Sequence, residues 1–238
     1  MNFCLPDAYF CLDQFSHREI WDNNDPVWGP IGKIEAYLRS LKLGVIEIKV
    51  GKDVRLEKPE LISIGKRTII EPGVLIQGPC FIGENCIIRH GAYLRGNMIV
   101  GNRAAIGHSA ELKNSILLNA CAVTHFVYCG DSIIGSFVNL GAGVKCANLR
   151  IDRKEVRVAV GNEKIRTGLK KFGAIIGDRT QIGCNCVLNP GTLIGKECVI
   201  YPLLNVGGNV PSKNLVKKKI ELEIEPVHET LLEQMGKF

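Results

Sequence analysis

The sequence predicts an all-β solenoid flanked by an N-terminal helical cap and a C-terminal tail, and three observations carry that prediction. First, an aliphatic residue recurs every six positions. The run is Ile64, Ile70, Ile76, Ile82, Ile88, Leu94, Val100, Ile106, Leu112 and Leu118, and it resumes at Ile134, Leu140, Ile176, Ile182, Leu188, Ile194, Ile200 and Val206. A helix repeats every 3.6 residues and a strand every two, so neither has this period. A short strand followed by a turn does, when three such units close one triangular coil. Second, Gly often follows the aliphatic position, as at Gly65, Gly83, Gly101, Gly107, Gly135, Gly141, Gly177, Gly183, Gly195 and Gly207. Glycine suits corners where φ turns positive or backbones pack closely. Third, a compact residue stands four positions on, as at Thr68, Cys80, Cys86, Ala92, Ala104, Ala110, Thr180, Cys186, Thr192 and Cys198. An aromatic content of 6% fits so narrow an interior.

Composition sets the outer bounds. A chain of 238 residues has room for one or two domains, and a solenoid extends one core without dividing it. No stretch is apolar enough to span a bilayer, and the first residues, MNFCLPDAYF, lack the pattern of a signal peptide. Ten cysteines without such a signal point to free thiols in a reducing, cytoplasmic setting. Several stand at repeat positions where a small hydrophobe is wanted, and no CxxC pair suggests zinc. The net charge of +6 suits an anionic small molecule, but no aromatic-interleaved basic stripe points to nucleic acid.

Taken in order, residues 1–45 form a cap. Pro30 suits a helical first turn, and Ile31, Ile34, Leu38 and Leu41 share one face, which predicts a helix over 31–42. This cap is expected to cover the end of the solenoid and protect its strand edges. The β-helix occupies 46–210. Its period slips between Leu112 and Ile134, and residues 147–171 form an inserted polar loop rich in Arg and Lys. Long departures from a rigid scaffold concentrate function. Residues 211–238 form the tail, with Lys217-Lys218-Lys219 at its start and a helix expected after Pro226.

The hexapeptide pattern resembles the left-handed parallel β-helix of the hexapeptide-repeat acyltransferases, and the hand is taken from that resemblance. A closer likeness lies in THFVYCGDSIIGSFVNLGAGVKCANLR (124–150), TGLKKFGAIIGDRTQIGCNCVLNPGTLIG (167–195), IRHGAYLRGN (88–97) and AELKN (110–114). These resemble the acetyltransferase domain of bifunctional glucosamine-1-phosphate acetyltransferase/N-acetylglucosamine-1-phosphate uridyltransferases, the second segment especially the archaeal branch. The likeness covers roughly residues 60–210. It implies acetyl-CoA as co-substrate and an amino-sugar 1-phosphate as acceptor. It also implies His125 as catalytic base, Tyr128 against the sugar, and Arg89 and Lys113 on the phosphate. Asn139, Asn148 and Lys154 would complete the substrate site, and Ala142 and Cys184 would contact the coenzyme. Two residues depart from common bacterial members: Leu149 replaces a tyrosine, and Cys184 replaces a serine.

Residue chemistry agrees with these roles. Histidine titrates near neutrality and suits a base. Arg gives phosphate a bidentate grip and Lys a point charge. Gly141-Ala142-Gly143 leaves backbone accessible to a thin pantetheine arm. Such a site is expected to need a homotrimer, since a single prism offers flat walls and little cleft. Trimer packing would also cover Phe126 and Phe137. Residues 1–60 contain nothing resembling the Gly-rich loop of a nucleotide-binding domain. A separate nucleotidyltransferase is therefore expected to use the product. Two other classes stand beside this one. His90 and His108, eighteen residues apart, should stack in successive coils and invite comparison with zinc carbonic anhydrases of this fold, although the paired His of that family is absent. A non-catalytic scaffold or regulatory subunit is the other.

Overall fold

The computed structural model describes residues 4–22, 25–161, 163–219 and 225–227. The chain winds as a parallel β-helix of the left-handed class, with three flat walls of eight parallel strands each. Wall I runs from Arg55–Glu57 through Tyr93–Leu94, Glu111–Lys113, Tyr128–Gly130 and Lys145–Cys146 to Asn205–Val206. Wall II runs from Ile62–Ile64 through Met98–Val100, Ser115–Leu117 and Ala174–Ile176 to Asn209–Val210. Wall III runs from Ile69–Ile70 through Ala105–Ile106, Ala122–Val123 and Asn139–Leu140 to Leu215–Val216. The interior is the predicted aliphatic ladder: Ile76, Leu94 and Leu112 of wall I meet Ile82 and Val100 of wall II and Ile88 and Ile106 of wall III, all at 0% exposure. Each such side chain contributes about 1.5–3 kcal/mol by burial.

The register slips one residue earlier than the six-residue count places it. Leu117, not Leu118, pairs with Val100 and Ile134 and enters the interior. The corner between walls I and II is one residue shorter here and again between Cys129 and Ile134. Leu118 consequently points outward, into a second core.

The glycines serve close approach rather than positive φ. A Cβ on Gly65 would lie 2.8 Å from the carbonyl carbon of Gly83, and one on Gly83 would lie 2.8 Å from that of Gly101. The left-handed position falls two residues later, at Arg67, Asn85 and Arg103. Compact corner residues face inward and tie coil to coil. Thr68 Oγ1 donates to Gly83 O at 2.8 Å, and Cys86 Sγ donates to Gly101 O at 3.1 Å. Burial pushes the thiols of Cys80, Cys86 and Cys121 up, which keeps them protonated and inert.

The N-terminal segment covers a wall rather than the solenoid end. Phe10, Phe15, Trp21, Trp28, Ile34 and Leu38 pack against Ile99, Ile116, Leu118, Ile133, Ile175 and Leu193 on the outer face of wall II. That face is apolar, and leaving it wet would cost more than leaving one strand edge exposed. Asp178 pins the cover: its carboxylate accepts Cys11 N and Ser136 N, each at 2.7 Å. The α-helix spans Ile34–Ser40, preceded by a 3-10 turn at Gly29–Gly32, so it is shorter than the apolar periodicity suggests. The insertion is more ordered than a polar loop. After Lys145–Cys146 the chain forms an antiparallel hairpin, Arg157–Val160 with Glu163–Arg166, and rejoins wall II at Ala174. Val158, Val160 and Ile165 of the hairpin join the wall II core. The helix expected after Pro226 lies outside the described residues.

Candidate active site

Two sets of residues converge around the edge where wall III turns into wall I. The first is a column along that corner. Backbone pairing stacks His90, His108, His125 and Ala142 in successive coils: Ser109 N donates to His90 O, Phe126 N to His108 O and Gly143 N to His125 O. Cys184 continues the column, since Asn185 N donates to Ala142 O at 2.8 Å. His125 and Phe126 both hold left-handed backbone, at φ 62° and 58°. Neighbouring coils place a single left-handed residue at this corner, Ser109 or Gly143. Two in succession on non-glycine residues is strain of the kind found at functional sites. His125 and Cys184 are exposed there.

The second set lies on the outer face of wall I. Pairing aligns Tyr93, Glu111, Tyr128 and Lys145 across four strands. Tyr128 Oη donates to Asn148 Oδ1 at 3.4 Å. Gly130 leaves the room in which they meet, for a Cβ there would come within 2.7 Å of both Tyr128 Oη and Asn148 Nδ2. Burial, with the Asp131 and Glu111 carboxylates nearby, pushes the Tyr128 phenol up. A shallow groove of about 490 Å³ lies on wall I against this corner, lined by Ser109, Glu111, Phe126, Tyr128, Lys145, Asn148 and Leu149; the column residues themselves lie outside its lining.

Within one chain, Arg89 is not brought alongside Lys113. Arg89 sits at the wall III to wall I corner, and its Nε is buried without a hydrogen-bond partner. Lys113 lies at the far edge of wall I, its Nζ 3.5 Å from Asp131 Oδ2. The cation beside Lys113 is Arg95, which the sequence reading missed. Leu94 pairs with Leu112, so Arg95 and Lys113 occupy the same outward position in adjacent coils. The signal was available, because they stand eighteen residues apart, which is one full coil. Arg95 pairs with Glu111 at 2.7 Å and lies over the Tyr93 ring.

The remaining expected residues lie further away. Asn139 is exposed on wall III, between Ala122 and Gln181. Lys154 is exposed on the insertion, in a separate depression with Arg150, Arg157 and Lys164. His90 and His108 stack as expected, with centroids 5.8 Å apart. Their Nδ1 atoms face backbone carbonyls, Pro72 O at 2.7 Å and His90 O at 3.1 Å. Among the described residues no cluster of three or more His, Cys, Asp or Glu side chains is arranged to hold a metal ion. No helix among them is long and apolar enough to cross a membrane.

Parts of this chain are similar to known proteins. The GMPPB C-terminal domain family matches residues 76–167. A bifunctional sugar-1-phosphate nucleotidylyltransferase/acetyltransferase of Sulfurisphaera tokodaii is 43% identical over 88 residues, 37% of this chain and 22% of that protein. The bifunctional protein GlmU of Methanococcus vannielii is 36% identical over 111 residues, 47% of this chain and 27% of that protein. The chain thus spans about a quarter of the length of these relatives. Among solved structures, the polySia specific acetyltransferase NeuO aligns over 79% of this chain and 99% of its own, with 11% identity and a TM-score of 0.38. Residues 76–167 match the hexapeptide-repeat domain of the GMPPB C-terminal family, and part of the chain is similar to bifunctional sugar-1-phosphate nucleotidylyltransferase/acetyltransferases.

Proposed function

We propose that this β-helix transfers an acetyl group from acetyl-CoA to the nitrogen of an amino-sugar 1-phosphate, specifically glucosamine 1-phosphate. The observation that carries the reading is the meeting of two surfaces at one groove. Tyr128 and Asn148 of wall I line it together with Ser109 and Phe126, the corner residues next in sequence to His108 and His125, while Arg95 and Lys113 lie on the same wall outside its lining.

The chemistry follows from these parts. The amine attacks the thioester carbonyl only when neutral, and His125 takes the proton that the new C–N bond releases. The same imidazolium returns that proton to the departing coenzyme A thiolate. Tyr128 and Asn148 hold the sugar, and Arg95 and Lys113 meet the phosphate. Both cations are already ion-paired, so the phosphate is received by a balanced network rather than by bare charge. Acetyl-CoA runs along the corner. From His125 the column passes Ala142, Cys184 and Pro202 and reaches Lys217–Lys219, which leave wall III at Val216 one coil beyond Tyr201. Four coil steps of about 4.8 Å span roughly 19 Å, a length that suits an extended pantetheine arm with its phosphates at the lysines.

Assembly completes the site. The outer face of wall III carries Ile69, Ile87, Ala105, Ala122, Val199 and Leu215, and Phe126 and Phe137 are 61% and 47% exposed. In a homotrimer of parallel prisms this face meets a second copy, and Asn139 and Arg89 address a neighbouring groove. The reaction belongs in the cytoplasm, where acetyl-CoA is available. Thiol release from acetyl-CoA with a panel of amino-sugar 1-phosphates tests the reading. Turnover with glucosamine 1-phosphate well above glucosamine is expected. No turnover with any member would leave a non-catalytic scaffold. A stable monomer by light scattering at micromolar concentration would remove the trimer.

A further inference from the structure

Asp131 is a buried acid at the far edge of wall I, with no part in the proton transfer. It is 5% exposed and holds a left-handed backbone, φ 48°, where wall I turns toward wall II. Its carboxylate gathers donors from the coils on either side. Oδ1 accepts Asn114 Nδ2 at 2.9 Å, and Oδ2 accepts Asn148 Nδ2 and lies 3.5 Å from Lys113 Nζ. The backbone fastens it from both sides: Asp131 N donates to Lys113 O, and Gly173 N donates to Asp131 O.

This arrangement has a directional consequence. The Asn148 amide has one end that donates and one that accepts. With its NH₂ held by the carboxylate, its oxygen must face Tyr128 Oη and the groove. Lys113 is likewise held at the wall instead of extending into water. We infer that Asp131 is a positioning residue, which sets the amide orientation of Asn148 and the reach of Lys113 and so tunes recognition of the amino-sugar phosphate. The inference rests on the acetyl-transfer reading for its kinetic consequence, but not for its geometry.

An asparagine at this position keeps the shape and loses the charge that both partners seek. Asp131→Asn should raise the acceptor KM about tenfold, the loss of one charge-assisted hydrogen bond, and leave the acetyl-CoA KM unchanged. In a Lys113→Ala background the same change should cost less than about threefold, because residues acting through one another are not additive. Equal losses in both backgrounds, or an acetyl-CoA KM that moves as far as the acceptor KM, would overturn the inference. The wild-type chain offers a test that survives a misfolded variant. The side-chain amide resonances of Asn148, assigned by their loss in Asn148→Ala, should lie far downfield and exchange slowly. Random-coil shifts would overturn the inference outright. If no amino-sugar phosphate is turned over, acetyl transfer falls while the Asn148 resonances still decide Asp131.

Discussion

Walls I and II are built from the same repeat and carry opposite surfaces. Strands of wall II are buried on both faces, as at Met98–Val100, Ser115–Leu117 and Ala174–Ile176. The N-terminal segment and the inserted hairpin cover them. Strands of wall I are buried on one face only, as at Glu111–Lys113, and their outer positions hold Tyr93, Arg95, Glu111, Lys113 and Tyr128. A solenoid wall is thus a neutral frame whose role is set by its outward residues. Apolar ones recruit cover, and polar ones aligned at one-coil spacing leave the wall open.

The largest effect expected on this contrast is at the corner beside wall I. His125→Ala should lower kcat by about 10²–10⁴ with little change in acetyl-CoA binding. Its side chain is exposed, so the melting temperature should stay within a few degrees of wild type. Full activity in the variant would remove His125 from the mechanism.

A comparable cost in stability rather than rate belongs to wall II. Ile116→Ala removes an outward side chain at 0% exposure and should destabilise the chain by about 2–5 kcal/mol in urea unfolding. Tyr128→Phe, on wall I, should change stability by well under about 1.5 kcal/mol, since its hydroxyl makes one long hydrogen bond. Equal losses would mean that the two walls are not different in kind.

Phosphate recognition comes next. Arg95→Ala and Lys113→Ala should each lower kcat/KM for glucosamine 1-phosphate about tenfold to a hundredfold and leave glucosamine itself little affected. Arg89→Ala sharpens the comparison. If it matches Arg95→Ala only in the assembled oligomer, Arg89 serves a neighbouring groove.

The smallest effect is one of pH and concerns the cover of wall II. His17 Nδ1 lies 2.9 Å from Tyr37 Oη, which donates to Glu19 Oε1 at 2.9 Å. His17 Nδ1 must therefore donate, leaving the buried Nε2 unprotonated and without a partner. Burial pushes the imidazole below its ordinary value, with Glu19 opposing. The unfolded chain thus takes up a proton before the folded one. The contribution of His17 to stability is full above about pH 6.5 and fades as pH falls toward its folded value. Hydrogen exchange in residues 4–40 should quicken across that range, and His17→Gln should flatten the dependence. An unchanged profile in the variant would assign the effect elsewhere.

Much of this contrast could be read without coordinates. A six-residue period leaves room for few arrangements, so the aliphatic ladder, the compact corners and the interruption after Cys146 are local facts of spacing. Strands of wall II such as Met98-Ile99-Val100 are continuously apolar where wall I alternates apolar with polar, but the sequence reading drew no cover over that wall from them. The likeness to acetyltransferases drew His125, Tyr128 and Asn148 from sequence, and the pairing of strands brings the last two together. Other features depend on distances that no period encodes. The slip that turns Leu118 outward is a single shortened corner, and only cross-strand register reveals which leucine enters the core. Arg89 and Arg95 are equally basic, but they stand twenty-four and eighteen residues before Lys113. Only Arg95 is in line with Lys113, because side chains share a column only when separated by whole coils, a spacing the sequence already carried. The N-terminal segment found wall II rather than the solenoid end because burying an apolar surface is non-directional and follows area, which the tertiary structure alone lays out.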